Sequence, residues 1–458
     1  MTRLTCISPI DGSVFAEREA LSLKAARAAA KDLRAAQPAW AALPLAERVR
    51  LVNAGVARLT AMDDAVVELA HMMGRPVRYG GEFSGVRERA EHMAAIAAEA
   101  LLPTVVEDGP TFRRQIKRVP QGVALIIAPW NYPYLTAINT IVPALIAGNT
   151  VALKGATQTL LVAERIVGAF VDAGVPEDVF KNLFLDHDTT AALIGARAFD
   201  FVNFTGSVAG GRTVERAAAG TFATVGLELG GKDPGYVMED ADVAGAVATL
   251  MDGALFNAGQ CCCGIERIYV HAARYDAFVE GAIAFAADLT LGNPLDPATT
   301  LGPMAHTRFA ALVRGQVAEA VAAGAVAHLA PQAADDGGAY LSPNVLTGVD
   351  HTMRVMTEET FGPVVGIMKV ASDEEALALM NQSDYGLTAA ICTRDVERAE
   401  AFGDQLETGT VFMNRADYLD PALCWTGCKA TGRGAALSPL GYHAVTRPKS
   451  FHLKRVSR

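Results

Sequence analysis

Apolar residues in the N-terminal part of the chain recur at helical spacing. From Leu21 to about Ala100, alanine-rich segments carry apolar residues three and four positions apart, which predicts a series of amphipathic helices. The segment "LLPTVVEDGPTFRRQIKRVPQG" then alternates polar and apolar residues around turn signals, which predicts a hairpin-like pair of strands. The run "GVALIIAP" that follows is apolar throughout and predicts a buried strand.

Beyond this strand, short apolar runs alternate with helical segments. The runs "NTVALKG", "DFVNFTG" and "TVGLELGG" predict strands, with helices from Thr157 to Ala173 and from Gly210 to Ala219 between them. A second alternating region begins near Ala241 and includes the strand-like runs "ERIYVHAAR" and "VVGIMKV". Strands that alternate with helices form parallel sheets joined by crossover connections, so the pattern predicts an α/β protein.

Composition and charge exclude several classes of protein. Of 458 residues, 51% are hydrophobic and 20% charged, which is typical of a globular protein. The net charge of −10 comes without a basic stripe, which argues against nucleic acid as a partner. No apolar run approaches the roughly 18 residues that cross a membrane. Seven cysteines are sparse and odd in number, and no secretory signal is recognisable, so we expect free thiols in the cytoplasm.

Three of those cysteines are consecutive, in "FNAGQCCCGIER". A metal site is not expected, because adjacent residues of an extended chain point to alternate sides and Cys261, Cys262 and Cys263 would not face one ion. A disulfide does not fit the sparse, odd cysteine count. Two interpretations remain at this point, namely one reactive cysteine or a set of small buried residues.

Four other segments contain candidate chemistry. The segment "FTGSVAGGR" places glycines between a strand and a helix, where a backbone can approach a phosphate. In "APWNYP", Asn131 can present an amide donor, and in "LELGGKDP", Glu228 stands in an apolar strand where a carboxylate can serve as a base. The fourth segment is "EETFGPVV". Each also has a structural interpretation, as a glycine turn, a shaped loop or an exposed edge position.

Taken together and in this order, the segments resemble the aldehyde dehydrogenase superfamily over essentially the whole chain. The family's Pro-Trp-Asn, strand-end lysine, Gly-Ser, Glu-Leu-Gly-Gly, Gly-Gln-x-Cys and Glu-x-Phe-Gly-Pro patterns match, in this sequence, Asn131, Lys154, Gly206 with Ser207, Glu228, Cys262, and Glu359 with Phe361.

The resemblance implies a role for each of these residues. Cys262 would be the nucleophile, Asn131 would stabilise an oxyanion, and Glu228 would activate the water that hydrolyses a thioester. Cys261 and Cys263 would then be flanking small residues without a role. The cofactor would be NAD or NADP, bound by Trp130, Lys154, Thr157, Gly206, Ser207, Gly211, Glu359 and Phe361.

The resemblance also implies a division into domains. Residues 1–101 and 121–230 would form a Rossmann-like nucleotide-binding domain, and residues 231–430 an α/β catalytic domain. Residues 102–120 and 446–458 would form a small β element that joins subunits into a homodimer or homotetramer.

The expected substrate is a neutral aldehyde, medium-sized or aromatic. In the succinate semialdehyde branch of the family, a carboxylate-binding arginine lies eight positions after the Pro-Trp-Asn asparagine, where this chain has Asn139. Tyr132 and Trp425 suggest aromatic walls, although Arg415 leaves an acidic semialdehyde open as an alternative. Transfer of the acyl group to coenzyme A, and a binding protein without turnover, are further alternatives.

The cofactor preference depends on Thr157. Many members of the family carry glutamate three residues after the strand-end lysine, and its carboxylate repels the 2′-phosphate of NADP. Here that position is Thr157, so we expect NADP to be accepted at least as well as NAD. The alternative is that Thr157 only caps the helix that follows.

Overall fold

The chain folds into strands and helices that alternate over most of its length, as the computed structural model of residues 2–456 shows. The β-strands are β1 Arg3–Ile7, β2 Val14–Glu19, β3 Thr104–Asp108, β4 Phe112–Pro120, β5 Val123–Ile127, β6 Thr150–Lys154, β7 Phe180–Asn182, β8 Phe201–Gly206, β9 Thr224–Leu229, β10 Asp233–Val237, β11 Ile265–His271, β12 Val326–Ala327, β13 Asn344–Thr347, β14 Val364–Val370, β15 Tyr385–Gly386, β16 Thr388–Cys392, β17 Thr410–Met413, β18 Cys428–Lys429, β19 Gly432–Arg433 and β20 Thr446–Lys454. The α-helices are α1 Leu23–Ala42, α2 Leu45–Leu59, α3 Ala65–Met73, α4 Phe83–Ala100, α5 Pro133–Ala147, α6 Leu160–Asp172, α7 His187–Gly195, α8 Val208–Ala218, α9 Val243–Leu255, α10 Tyr275–Ala287, α11 Thr307–Ala322, α12 Arg354–Thr357, α13 Asp373–Asn381, α14 Val396–Gly403 and α15 Ser438–Ala444.

The first large sheet has six strands in the order β19-β9-β8-β5-β6-β7, parallel except for β19. Strand β5 is buried at every position because both faces of the sheet are covered. Its Ala124 and Ile126 join the core beneath α2, α5 and α6, while Leu125 joins the core beneath α1, α7 and α8. This two-sided layering matches the predicted α/β organisation.

The second large sheet has seven strands in the order β12-β13-β14-β11-β10-β16-β17, parallel except for β12. One face packs against α9 and α10 through Leu250 and Phe278. The opposite face packs against α13 and α14 through Ala376 and Phe402. A second layered α/β unit therefore follows the first along the chain.

A three-stranded sheet, β20-β4-β3, is built from the segments predicted to bridge subunits. Strands β20 and β4 pair antiparallel from Thr446 opposite Pro120 to Lys454 opposite Phe112. The last two residues of the predicted 446–458 segment lie outside the described residues. The domain boundaries remain a prediction. One strand of the first sheet, β19, lies outside the predicted nucleotide-binding domain, which ended at residue 230.

Two predicted helices begin elsewhere than expected. The helix predicted from Thr157 starts with a short 3-10 turn, Thr157–Thr159, and becomes α-helical at Leu160. Helix α8 begins at Val208 rather than Gly210, because the side chain of Ser207 caps it by accepting a hydrogen bond from the Gly210 N–H. Within residues 2–456, no helix is both long and apolar enough to cross a membrane.

Candidate active site

A cavity of about 180 Å³ receives side chains from both α/β units. Cys262, Glu228, Tyr132, Asn139 and Trp425, all singled out from the sequence, line it. Glu228 is contributed by β9 at the edge of the first sheet, and Cys262 by the loop between α9 and β11. Four segments far apart in sequence thus meet around one small space, as active-site residues commonly do.

The loop that carries Cys262 has an unusual backbone. Asn257, Ala258 and Gly259 have positive φ values of 54°, 55° and 68°, a conformation that is costly for residues other than glycine. A Cβ at Gly259 would lie 2.1 Å from the carbonyl oxygen of Gly362, so only glycine fits there. The loop is therefore pressed against the segment that contains Gly362.

Gln260 stabilises this loop from within the protein. Its Oε1 accepts a hydrogen bond of 2.8 Å from the Ala305 N–H, and its Nε2 donates one of 3.1 Å to the Asn257 carbonyl. The side chain is buried, so both bonds are shielded from competition with water. The position of Cys262 is consequently determined by the backbone that precedes it.

The geometric argument against a common ligand site for the three cysteines is wrong. Cys262 and Cys263 lie in a turn rather than a strand, and the three Sγ atoms all lie within 4.8 Å of one another. Alternation of side chains applies to extended chains only. The absence of a metal remains a prediction. All seven cysteines lie in the described part of the chain, and all are free.

Asp417 distinguishes the middle thiol from its neighbours. The thiols of Cys261 and Cys263 donate hydrogen bonds of 3.1 and 3.0 Å to its Oδ1. Hydrogen bonding within the cluster, burial and the nearby carboxylate raise the pKa of both flanking thiols. The pKa of Cys262 is lowered by its two neighbouring thiols, most by Cys261 and next by Cys263, whose Sγ atoms lie within 4.8 Å of its own. The cluster therefore favours ionisation of Cys262, and the flanking cysteines are more than inert neighbours.

Glu228 faces the same cavity as Cys262. Burial raises the pKa of its carboxyl group to about 7, and the negative charge of Cys262 adds to the effect. The Thr205 hydroxyl donates a long hydrogen bond of 3.5 Å to its Oε2. A carboxyl group with this pKa exchanges protons readily at neutral pH, as a general base must.

Asn131 lies beneath the nucleophile loop. It is buried, and its Nδ2 donates a hydrogen bond of 3.2 Å to the Gln260 carbonyl. The backbone carbonyl of Asn131 accepts a hydrogen bond of 2.5 Å from Arg75. Arg75 in turn forms a buried ion pair of 2.7 Å with Glu82. The side-chain amide is thus held to the backbone two residues before Cys262, and one of its two N–H groups remains for another acceptor. Asn131 itself is not among the residues that line the cavity.

Arg415, which the sequence suggested for this site, does not line the cavity, whereas Arg89, which the sequence did not suggest, does. Arg415 is exposed and stacks on the Tyr418 ring at 3.6 Å, away from the cavity wall. Arg89 of α4 is buried and lines the cavity. In the sequence, Arg89 stands one residue before Ala90 and on the same helical face as Val86 and Met93. A charged residue on such an apolar face is unusual, and this could have identified Arg89 as a functional residue.

Lys154 and Thr157 follow β6 as predicted. Lys154 is buried, and its Nζ makes only one hydrogen bond, of 3.5 Å, to the Gly155 carbonyl. Burial lowers the pKa of its ammonium group. The alternative that Thr157 caps a helix is wrong, since Ala156 occupies the cap position and no side-chain cap is formed there.

The glycine-rich segment after β8 leads into α8, as expected for a phosphate loop. Gly206 ends the strand, and Ser207 is exposed at the helix cap. The predicted cofactor role of Gly211 remains a prediction, and the structure gives this glycine a packing role as well. A Cβ on Gly211 would lie 2.6 Å from the Leu229 side chain, so this glycine permits close packing of α8 on β9.

Glu359 and Phe361 are positioned by a buried ion pair that the sequence did not indicate. Glu266 receives hydrogen bonds of 2.7 Å from Lys232 Nζ and from the backbone N–H groups of Thr360 and Phe361. Burial, followed by the charge of Glu266, raises the pKa of Glu359 to about 8. The loop that carries both predicted cofactor residues is therefore fastened to β11.

Trp130 and Phe361 belong to one aromatic cluster. Trp130 stacks on Phe309 with ring centroids 5.2 Å apart, and Phe361 meets it edge-on at 5.6 Å. Phe309 was not predicted. Such a cluster provides a flat apolar surface next to a loop of polar groups.

These residues fit a dinucleotide. Lys154 offers a buried ammonium group with one weak protein acceptor, which suits a ribose hydroxyl. The N-terminus of α8, entered through Gly206, offers the positive end of a helix dipole to a diphosphate. When bound, NAD or NADP would supply a hydride acceptor.

Known proteins with this organisation are aldehyde dehydrogenases. The chain matches the aldehyde dehydrogenase family over residues 1–451. It is 33% identical over 425 residues to succinate-semialdehyde dehydrogenase (NADP+) of Deinococcus radiodurans, covering 90% of this chain and 86% of that protein. It is 35% identical over 437 residues to vanillin dehydrogenase of Pseudomonas fluorescens, covering 93% and 89%.

A solved structure agrees with these sequence matches. Succinic semialdehyde dehydrogenase from Streptococcus pyogenes, in complex with NADP+, has a TM-score of 0.94 at 28% identity, covering 99% of this chain and all of that one. The chain therefore belongs to the aldehyde dehydrogenase family. The predicted family and the predicted α/β fold are confirmed.

Proposed function

We propose that the protein oxidises an aldehyde to a carboxylic acid with NAD or NADP, through covalent intermediates on Cys262. The main support for this proposal is that Cys262, with a lowered pKa, and Glu228, with a pKa of about 7, line the same cavity. A nucleophile and a base are both required, because an aldehyde must be activated first and an acyl group released afterwards.

In the first half-reaction, the Cys262 thiolate adds to the carbonyl carbon and the carbonyl oxygen becomes an oxyanion. The free N–H of the Asn131 amide and the backbone N–H of Cys262 stabilise that charge. NAD or NADP, held by Lys154, Glu359 and Phe361, would supply the hydride acceptor. Loss of hydride from the thiohemiacetal carbon leaves a thioester on Cys262. Asp417 holds the flanking thiols as hydrogen-bond donors, so they do not compete as nucleophiles.

In the second half-reaction, Glu228 removes a proton from water as the water oxygen attacks the thioester. The carbon–sulfur bond breaks, and Cys262 leaves as a thiolate. Glu228 then returns its proton to solvent or to Cys262. Because the base Glu228 is present, water is favoured over coenzyme A as the acyl acceptor. Because the nucleophile, the base and the amide donor are all present, an enzyme is favoured over a binding protein.

For the substrate, we infer a neutral aldehyde, medium-sized or aromatic. The cavity of about 180 Å³ is small beside the roughly 300–1,000 Å³ of pockets for drug-sized ligands, and the rings of Tyr132 and Trp425 line it. The test is kcat/KM for benzaldehyde, hexanal and succinate semialdehyde, followed by reduction of the dinucleotide. Benzaldehyde or hexanal should be preferred. A clear preference for succinate semialdehyde would contradict this inference, and no oxidation of any aldehyde would contradict the proposed activity.

For the cofactor, we infer that NADP is accepted at least comparably to NAD. Two relatives are named for NADP or bind it, and Thr157 places no carboxylate beside the 2′-phosphate. Thr157→Glu should lower kcat/KM with NADP more than tenfold and change that with NAD much less. Two unit charges about 4 Å apart repel by at most roughly 4 kcal/mol at an effective dielectric of 20, before solvent screening.

Thr111→Glu, which adds the same charge to the exposed turn between β3 and β4, is the matched control and should leave the NADP to NAD ratio unchanged. A wild type that favours NAD by more than about 100-fold, roughly 2.8 kcal/mol, would refute the cofactor inference. So would a Thr157→Glu variant with unchanged use of NADP.

We also infer self-association, as a homodimer or homotetramer, through the β20-β4-β3 sheet. Val105, Val106, Ile116 and Leu453 of this sheet are exposed, and its outer strands carry unpaired backbone groups. The seven free cysteines support a reducing compartment such as the cytoplasm.

A further inference from the structure

The wall of the substrate cavity contains a buried cation, Arg89, that forms no ion pair with any of the residues 2–456. Arg89 lines the same cavity as Cys262, and its side chain is buried. Glu82, whose negative charge raises the pKa of Arg89 more than any other nearby charge does, already forms an ion pair of 2.7 Å with Arg75. Among residues 2–456, no ion pair includes Arg89. A buried charge without a partner is costly, so its retention asks for an explanation.

The hydrogen bonds of Arg89 leave most of its donors free. A guanidinium group has five N–H donors, and among the described residues only the Nη1 of Arg89 has protein acceptors. These are the Oδ1 of Asn139 at 3.3 Å and the Leu135 carbonyl at 3.4 Å, both of which are long. The bond to Asn139 orients the guanidinium group from the next helix, α5, without satisfying it.

Two neighbouring groups also lack acceptors. The amide Nδ2 of Asn139 and the hydroxyl of Tyr132 are buried and have no hydrogen-bond partner. Both residues line the cavity. Buried donors are normally paired, so this part of the wall is short of oxygen acceptors. A ligand that brings an oxygen atom to this wall would satisfy free N–H donors of Arg89.

We propose that Arg89, oriented by Asn139, binds a hydroxyl oxygen attached to the aromatic ring of the substrate. The substrate is therefore an aromatic aldehyde that carries a hydroxyl group. This proposal rests on the proposed function and names its substrate class more closely. The remaining wall is largely apolar, with Leu387, Leu419 and Trp425, which suits a ring. The Asp417 carboxylate also lines the cavity and repels the full charge of a second carboxylate more than a phenol or a delocalised phenolate.

The test compares substrates within each enzyme variant. We would measure kcat/KM for benzaldehyde, 3-hydroxybenzaldehyde, 4-hydroxybenzaldehyde and succinate semialdehyde. The variants are wild type, Arg89→Met, Arg89→Lys and Arg87→Met. The last removes an exposed arginine from the same helix and is the matched control. A ratio of two substrates on one preparation is insensitive to a partial loss of folded enzyme, and Arg89→Lys keeps a charge at the site if the methionine variant does not fold.

We expect the wild type to prefer one hydroxybenzaldehyde over benzaldehyde by about 10- to 100-fold, the range of a charge-assisted hydrogen bond. Arg89→Met should remove this preference, Arg89→Lys should keep part of it, and Arg87→Met should keep all of it. Wild-type oxidation of benzaldehyde without a preference for either hydroxybenzaldehyde would overturn this proposal while leaving the proposed activity intact. An equal loss for all four substrates would overturn it too, because that result indicates a structural role. Loss confined to succinate semialdehyde would identify a carboxylate as the bound group instead.

Discussion

Cys262→Ala is expected to abolish aldehyde oxidation, with a loss of at least about 10⁴-fold in kcat/KM. The variant removes the only thiol of the cluster whose pKa is lowered, so no nucleophile remains to form the thiohemiacetal. Oxidation is followed by the absorbance of the reduced dinucleotide. The fold should persist, because the residue lies in a turn and alanine fits where the side chain is half-buried.

The flanking cysteines are the matched controls for this prediction. Cys261→Ala and Cys263→Ala should both fold and retain most of the activity, with optima moved to higher pH because each removes a neighbouring thiol that lowers the pKa of Cys262. Mass spectrometry after a trapped turnover should find the acyl adduct on Cys262. An adduct on Cys261 would show that the wrong sulfur has been assigned.

Glu228→Gln is expected to separate the two half-reactions. The pre-steady-state burst of reduced dinucleotide should remain, whereas the steady-state rate should fall by about 10²- to 10⁴-fold, the contribution of a general base. Rapid mixing resolves the burst from later turnover. An undiminished steady-state rate would remove Glu228 from the mechanism.

The pH dependence supplies an independent readout for the same residue. The carboxylate is the active base, so the deacylation rate of the wild type should rise as pH increases through about 7, the raised pKa of Glu228. In the acylated enzyme Cys262 carries no charge, so the apparent pKa should be somewhat lower. Glu228→Gln should lack this limb, and a variant that kept it would assign the titration to another group.

The sequence predicted those features that depend on local patterns. Apolar runs such as that of β5 identified buried parallel strands, because both faces of these strands are covered. The order of the motifs along the chain, rather than the strand pattern, pointed to residues such as Lys154 and Glu228. The family resemblance supplied their roles, and the structure brings Glu228 and Cys262 to one cavity.

Features that depend on contacts between distant segments were not predictable. Asp417 lies 154 residues after Cys263 in a loop with a left-handed backbone, and nothing in its neighbourhood signals a bond to a thiol. The Lys232–Glu266 pair shows in the sequence only as one charged residue just before β10 and another within β11. The expectation for the three cysteines failed because it assumed an extended chain, while the turn at Cys262 depends on a hydrogen bond from Gln260 to the Asn257 carbonyl.

The backbone that holds Cys262, the proposed nucleophile, lies outside the part of the cavity wall to which we assign the choice of substrate. Asn257, Ala258 and Gly259 set the position of the sulfur through their own conformation and through Gln260, none of which belongs to the cavity wall. Substitutions in α4, α5 and the loop around Trp425 can therefore reshape the wall without moving the reacting atom. Such a division lets gene duplication produce enzymes for chemically different aldehydes in few mutational steps, as the names of the relatives of this chain suggest.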